Sequence, residues 1–168
     1  MGLPGSGKST LAAALAERLP ELRVLDRDEV RHALFDPCDY SAAERTISFS
    51  AMLDAARYHL GRGRMVALDG LAFPKRGEEK AVAAVAEEAG AFVATVVCDV
   101  PVGVAMARAD ADAGDGGHPA ANRHGDVVRR VAAEMREPAG AYLTVDTHGS
   151  SVEDVAGQVL AYLTDLTQ

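Results

Sequence analysis

Gly2-Leu3-Pro4-Gly5-Ser6-Gly7-Lys8-Ser9 is a complete G-x-x-x-x-G-K-[ST] sequence, and Thr10-Leu11 carries it into a helical pattern. Glycines at these spacings let the backbone curl so that successive N–H groups point inward at an anion, which residues bearing a Cβ do only with strain. Lys8 is spaced to reach the β- and γ-phosphates of a nucleoside triphosphate, and Ser9 to hold Mg²⁺. The helix behind them turns its positive end toward the same charge. Leu11, Leu15 and Leu19 form an apolar i, i+4, i+8 stripe, so the stretch reads as a phosphate loop opening a packed helix. Gly2, Pro4, Gly5, Ser6, Gly7, Lys8, Ser9 and Thr10 are the expected nucleotide-binding residues.

Such a loop ordinarily follows a β-strand, and only Met1 stands before Gly2. In a parallel sheet of this kind that strand is central, so its loss bares unpaired backbone on both neighbours. The amino terminus therefore reads as shortened, with Met1 as the last residue of the strand in a longer natural protein. The alternative is a sheet with a gap in it.

The rest of the chain alternates strand and helix. After the first helix, from about Lys8 to Leu19 and stopped by Pro20, come a short strand at Arg23-Val24-Leu25 and an acidic helix start at Asp26-Arg27-Asp28-Glu29. Ser41-Ala42-Ala43-Glu44 reads as a capping box for a helix reaching Leu60, and Met65 to Leu68 as a buried strand closing in Asp69-Gly70. A helix is expected from Gly77 to Ala89. The continuous apolar run Ala91 to Cys98 reads as the strongest strand, one covered on both faces. A helix carrying Arg108 follows, then a glycine-rich polar stretch over 109–124 that reads as a mobile lid. The chain closes with a helix from Asp126 to Met135, a strand over Tyr142 to Val145 and a helix capped at Ser151. The pattern predicts one α/β domain over residues 1–168, a three-layer sandwich around a parallel sheet with right-handed crossovers.

Composition narrows the function. The formal net charge is -8, from 25 acidic and 17 basic residues, which opposes a broad nucleic-acid footprint. No apolar run approaches the roughly 18 residues of a membrane span, no leader pattern precedes the loop, and Cys38 and Cys98 lack metal-ligand spacing. A cytoplasmic protein with reduced thiols is expected, of a subunit number the sequence does not encode. With lysine only at 8, 75 and 80 there is no guanine-reading Asn/Thr-Lys-x-Asp sequence, and no apolar strand ends in the Asp-Glu pair of motor ATPases. Phosphoryl transfer to an acceptor hydroxyl is left as the leading class.

That chemistry needs a base, cations over the migrating phosphoryl group and a cover against water. Asp28 lies just past a strand's carboxyl end, which faces the ligand crevice in open α/β sheets; it reads equally as base or as a helix N-terminal carboxylate. Arg31, one turn on, clamps the acceptor or holds Asp28. Arg108 and Arg123 flank the glycine-rich stretch, as transition-state cations or as solvated surface arginines. Asp69 is the second carboxylate at a strand end, placed to support Mg²⁺ beside Ser9 or to bind acceptor.

Taken together, the phosphate loop, Asp26-Arg27-Asp28-Glu29-Val30-Arg31, Asp69-Gly70 and Asp99-Val100-Pro101, in that order, resemble the P-loop kinase group of the 5′-hydroxyl polynucleotide kinases and their small-molecule relatives. Those relatives include the chloramphenicol phosphotransferase-like, gluconate-kinase-like, zeta-toxin and AAA-type small kinases. The resemblance implies ATP and Mg²⁺ as cofactors, Asp28 as general base, Arg31 as acceptor contact and Arg108 as lid arginine. Where polynucleotide kinases carry a second basic residue four positions on, this chain has Asp112, which leaves Arg123 as substitute. Asp110, Asp112 and Asp115 make the lid acidic, so a small hydroxylated acceptor is expected over a polyanionic one. The rival readings are a polynucleotide kinase and a non-catalytic ATP-binding module.

Overall fold

A computed structural model of the chain describes residues 1–71, 76–114 and 125–167. The lid arginine Arg123, Asp115 and most of the predicted lid lie outside the described residues.

Helix α1 (Lys8–Arg18) leaves the phosphate loop and leads to strand β1 (Leu22–Asp26), helix α2 (Arg27–Leu34) and the long helix α3 (Ala42–Leu60). Strand β2 (Met65–Asp69), helix α4 (Arg76–Glu88) and strand β3 (Thr95–Asp99) follow. Helices α5 (Val102–Gly114) and α6 (Gly125–Glu134), strand β4 (Tyr142–Asp146) and helix α7 (Val152–Asp165) complete the order. Every observed strand pair is parallel, β1 with β2 and β3 with β4.

Alternation along the strands sorts side chains onto two covered faces, as a parallel sheet requires. Leu22 and Val24 of β1, Ala67 of β2, Val96 and Cys98 of β3 and Val145 of β4 pack with Leu11 and Leu15 of α1 and Val155, Ala156 and Val159 of α7. On the other side, Leu25 of β1 and Val66 and Leu68 of β2 meet Leu53 and Ala56 of α3 and Val85 of α4. A third cluster ties the loop to its cover: Leu3 packs with Val100, with Ala105 and Ala109 of α5 and with Val128 of α6. Helices on both faces of a parallel sheet are the expected three-layer sandwich.

The capping residues act where the sequence places them. Ser41 Oγ accepts from Glu44 N at 3.2 Å and Ser151 Oγ from Asp154 N at 3.1 Å. Glu44 does not return the bond to Ser41; its carboxylate takes Asp39 N and Tyr40 N, both at 2.8 Å, and so ties down the turn ahead of α3.

Two expectations change. The apolar run Ala91 to Cys98 is strand only from Thr95, and Phe92 and Val93 are half exposed. The lid region opens as helix rather than loop, since α5 runs through Gly114. Alanines at 105, 107, 109, 111 and 113 favour that continuation, and Asp110 anchors it by accepting the Gly125 N–H at 2.9 Å.

The sheet is split. β1 and β2 form one ladder, β3 and β4 another, and among the described residues no strand joins the two. The Met1 carbonyl accepts the Cys98 N–H at 2.8 Å and its amino nitrogen donates to the Val96 carbonyl. Met1 thereby runs alongside β3.

Candidate active site

The phosphate loop is shaped by three glycines in the left-handed half of backbone space, Gly2 at φ 148°, Gly5 at 75° and Gly7 at 79°. Space enforces glycine at two of them: a Cβ on Gly5 would sit 2.4 Å from the Ala105 carbonyl oxygen, and one on Gly2 2.7 Å from that of Cys98. Pro4 forms the turn with Gly5, and buried Ser6 donates its N–H to Leu3 O at 3.0 Å. Lys8 arches over the loop, its Nζ 2.6 Å from Leu3 O and 3.4 Å from Ser6 Oγ. Ser9 and Thr10 stand exposed on the first turn of α1.

Beside the loop lies a cavity of about 300 Å³ whose lining includes Gly5, Gly7, Thr10, Arg108, Thr147 and Ser150. Arg108 Nη2 donates to the Thr147 carbonyl at 3.3 Å, so this arginine bridges α5 to the turn after β4. Thr147 is fixed by its N–H and its hydroxyl, both donating to Asp99 O at 3.0 Å. Asp146 holds the same turn, accepting His148 N at 2.8 Å and Gly149 N at 3.0 Å, and these backbone donors keep its carboxyl below the ordinary aspartate range. Asp112, foreseen as an unfavourable lid acid, lines this cavity next to Arg108.

The carboxyl ends of β1 and β2 build a second centre. Asp26 and Asp69 are register partners, which places the two strand ends side by side. Asp26 caps α2, its Oδ1 accepting Asp28 N at 2.7 Å and Glu29 N at 3.0 Å. The helix so started buries Asp28 to 3% exposure and Arg31 to 7%, joined by a 2.7 Å bond from Arg31 Nη1 to Asp28 Oδ1. Asp28 is therefore no solvated helix-end carboxylate, because an acid is rarely buried unless paired. Tyr40 lies against the pair, its ring centroid 5.4 Å from the Arg31 guanidinium carbon.

Around these two the structure gathers residues the sequence did not single out. Arg45 binds Glu78 Oε1 through Nη2 at 2.9 Å, and Ser48 is fully buried. Arg27 shares the charge field of Asp28, Arg31, Arg45 and Glu78, and burial pushes its pKa below that of an ordinary arginine. The Nε groups of Arg27 and Arg31, Ser48 Oγ, Asp69 Oδ2 and Glu78 Oε2 are all buried without a hydrogen-bond partner in the described structure. Arg27, Arg31 and Glu78 share one charge field, and unsatisfied polar atoms there fit a site for a polar ligand. A signal for part of this exists in the sequence: Glu44, Ser48 and Met52 are an i, i+4, i+8 stripe that begins polar, so the first turns of α3 face a crevice rather than oil.

Mg²⁺ fits this frame. Asp69 Oδ1 accepts Gly70 N at 2.6 Å, its Oδ2 is buried and unsatisfied, and Ser9 offers an exposed hydroxyl at the helix start. Among the described residues no cluster of three or more His, Cys, Asp or Glu is placed to hold a metal. Mg²⁺ beside a triphosphate needs only one or two protein oxygens, the rest of its shell being phosphate and water. Among the described residues, likewise, no helix is long and apolar enough to cross a membrane.

Comparison with known proteins agrees with this geometry. Adenylyl-sulfate kinase of Shewanella pealeana is 33% identical over 168 aligned residues, which cover 96% of this chain and 77% of that protein. The Mycobacterium tuberculosis APS kinase CysC, solved with AMPPNP and APS, superposes with a TM-score of 0.72 at 23% identity over 98% of this chain and 94% of that one. A gluconokinase from Sinorhizobium meliloti superposes at 0.70 with 19% identity, over 99% and 90% of the two chains. A model of the AAA domain family AAA_33 matches residues 1–138, and with the phosphate loop, the parallel sheet and the paired strand-end carboxylates already in place, the chain belongs to that family of P-loop kinases.

Proposed function

We propose that the chain moves the γ-phosphoryl group of ATP to a hydroxyl of a small-molecule acceptor in the cytoplasm. The observation that carries this is Asp28, a carboxylate buried at the carboxyl end of β1 and held by Arg31 at 2.7 Å. The loop amides and Lys8 hold the phosphates while the acceptor lies against α2 and α3. Asp28 takes the acceptor's hydroxyl proton as its oxygen bonds to the γ-phosphorus, and the bond from that phosphorus to the β-bridging oxygen breaks, releasing ADP. Arg108, and Arg123 with it, spreads the charge of the moving group. Ser9 and Asp69 would hold Mg²⁺, whose chemistry is to neutralise phosphate charge.

The relatives favour a small acceptor, since those named act as adenylyl-sulfate kinase and gluconokinase. The polynucleotide reading keeps no supporting observation of its own. The test is Mg²⁺-dependent ATP consumption against nucleosides, sugars, sugar acids, adenylyl sulfate, aminoglycosides and 5′-hydroxyl oligonucleotides, with Lys8→Ala as the inactive reference. Turnover with a small acceptor supports the proposal. Turnover with oligonucleotides alone, or ATP binding without transfer to any acceptor, overturns it.

A further inference from the structure

The connection from α2 to α3 holds one residue in a backbone conformation its side chain disfavours. Tyr40 has φ 55° and is the one non-glycine among the described residues on the left-handed side of backbone space. A bulky residue reaches that region only when its surroundings over-determine it. Glu44 is what determines it here. This residue is 6% exposed, and its carboxylate takes the N–H groups of Asp39 and Tyr40 at 2.8 Å each. The first turn of α3 therefore decides where the Tyr40 ring stands.

The ring is tied at its far end as well. Tyr40 Oη lies 3.4 Å from His32 Nε2, and His32 Nδ1 lies 3.6 Å from Cys38 Sγ. The Cys38 thiol donates to Phe35 O at 3.0 Å, which leaves its sulfur to accept from a proton on Nδ1 and leaves Nε2 to accept from the Tyr40 hydroxyl. Backbone and hydroxyl together set the ring against the Arg31 guanidinium, whose carbon is 5.4 Å from the ring centroid, within reach of a cation–π attraction.

We propose that Tyr40 is a positioning residue for the phosphoryl transfer, holding Arg31 in place at the moment Asp28 becomes neutral; this rests on Asp28 being the base. As the acceptor O–H bond breaks, its proton passes to Asp28 and cancels the carboxylate charge that fixed Arg31 at 2.7 Å. Arg31 is then a cation of 7% exposure beside a neutral acid, with its Nε lacking a partner and Arg27 repelling it within the same charge field. A buried charge that loses its counter-charge is costly to keep. The face of an aromatic ring attracts a cation whatever the protonation state of its neighbours, so the ring keeps Arg31 from swinging away before the proton leaves Asp28. The left-handed backbone at residue 40 and the two bonds from Glu44 serve that placement.

The test replaces the protonated acid by a neutral isostere. In the 168-residue chain carrying Asp28→Asn, hydrogen exchange at the Arg31 Nε–H is followed by NMR, with Tyr40 intact and with Tyr40→Leu added. The Nε–H should stay protected with the ring present and exchange about tenfold faster without it; Tyr40→Phe, which keeps the ring, should restore the protection. If Tyr40→Leu does not fold, Tyr40→Gly, suited to the left-handed backbone, takes its place. Protection lost in Asp28→Asn alone, or equal with and without Tyr40→Leu, would overturn the proposal. With an acceptor that supports turnover, Tyr40→Leu on its own should lower kcat about tenfold and leave both KM values unchanged. A rise in acceptor KM with kcat unchanged would make Tyr40 an acceptor contact and overturn the positioning role. Absence of turnover with every acceptor would count against the kinase and not against the hold on Arg31, which the exchange measurement decides by itself.

Discussion

The proposed nucleotide side and the proposed acceptor side of this molecule are made from different materials. At the nucleotide side the binding surface is mostly backbone: loop amides shaped by Gly2, Gly5 and Gly7, and a turn at Thr147 pinned by main-chain bonds. At the acceptor side it is side chain: Asp28 and Arg31 buried together, with Arg27, Arg45, Ser48 and Glu78 around them and several of their polar atoms unsatisfied. Triphosphate is common to every substrate pair of such an enzyme, so a fixed backbone cradle serves it. On the proposed reading the acceptor is what differs between relatives, and replaceable side chains on α2 and α3 are where such a difference would be written.

The contrast breaks first under Asp28→Asn. Turnover should fall about 10²- to 10⁴-fold while the Kd for ATP, measured by titration calorimetry, stays at the wild-type value. Its counterpart Gly5→Ala should do the reverse at the binding step. The new Cβ meets the Ala105 carbonyl oxygen at 2.4 Å in a left-handed backbone, so ATP affinity should collapse while the Asp28 centre is untouched. An Asp28→Asn enzyme with wild-type kcat would remove Asp28 from the chemistry.

Arg31→Met probes stability as well as activity. It withdraws the 2.7 Å partner from a carboxylate that is 3% exposed. Breaking a buried pair from one side costs about 3–5 kcal/mol, a large part of the roughly 5–15 kcal/mol that holds a domain folded. Urea denaturation should register that loss, and Arg31→Met with Asp28→Asn together should lose less than the sum of the two. Additive losses would mean that the pair does not act as a unit.

Arg27→Met separates function from folding on the same side. Its Nε is buried without a partner and burial disfavours its charged form, so an apolar chain of similar length should leave stability within about 1 kcal/mol of wild type or raise it. If Arg27 addresses the acceptor, the acceptor KM should rise about tenfold with ATP KM unchanged. An unaltered acceptor KM would make Arg27 a packing residue.

The same contrast explains what could be read before the structure was known. The phosphate loop was legible because its requirements are local: three glycines, a lysine and a serine at fixed spacing dictate both conformation and chemistry. Asp28 and Arg31 were legible in part, because i, i+3 spacing on one helix puts them together, whereas their burial depends on α3 crossing over them. Arg45 and Glu78 were not legible as a pair, being 33 residues apart on α3 and α4. The apolar run at 91–98 was misread in extent because strand formation is cooperative with a neighbour. Only Thr95–Asp99 has β4 beside it. Asp110 looked like lid charge and is a tether to α6, since the identity of an acid does not reveal which backbone N–H it will meet.

The smallest effect lies on the nucleotide side and is a test of how far backbone alone sets that side. Asp146 is the one carboxylate among the described residues that binds two backbone N–H groups of the turn after β4. Those bonds depress its pKa in the folded chain relative to the unfolded one. The stability it contributes is therefore fully present above the unfolded value and is lost as pH falls through the folded one, because the unfolded chain takes up the proton first. Melting temperature followed from about pH 5 down to about pH 2 should drop less steeply in Asp146→Asn than in wild type, and the two curves should converge at the acid end. Asn keeps an acceptor oxygen for His148 and Gly149, so Thr147 stays in place and the ATP Kd near neutral pH should move by less than about threefold. A much larger loss of ATP affinity would show that the carboxylate charge itself, and not the turn it shapes, belongs to the nucleotide site.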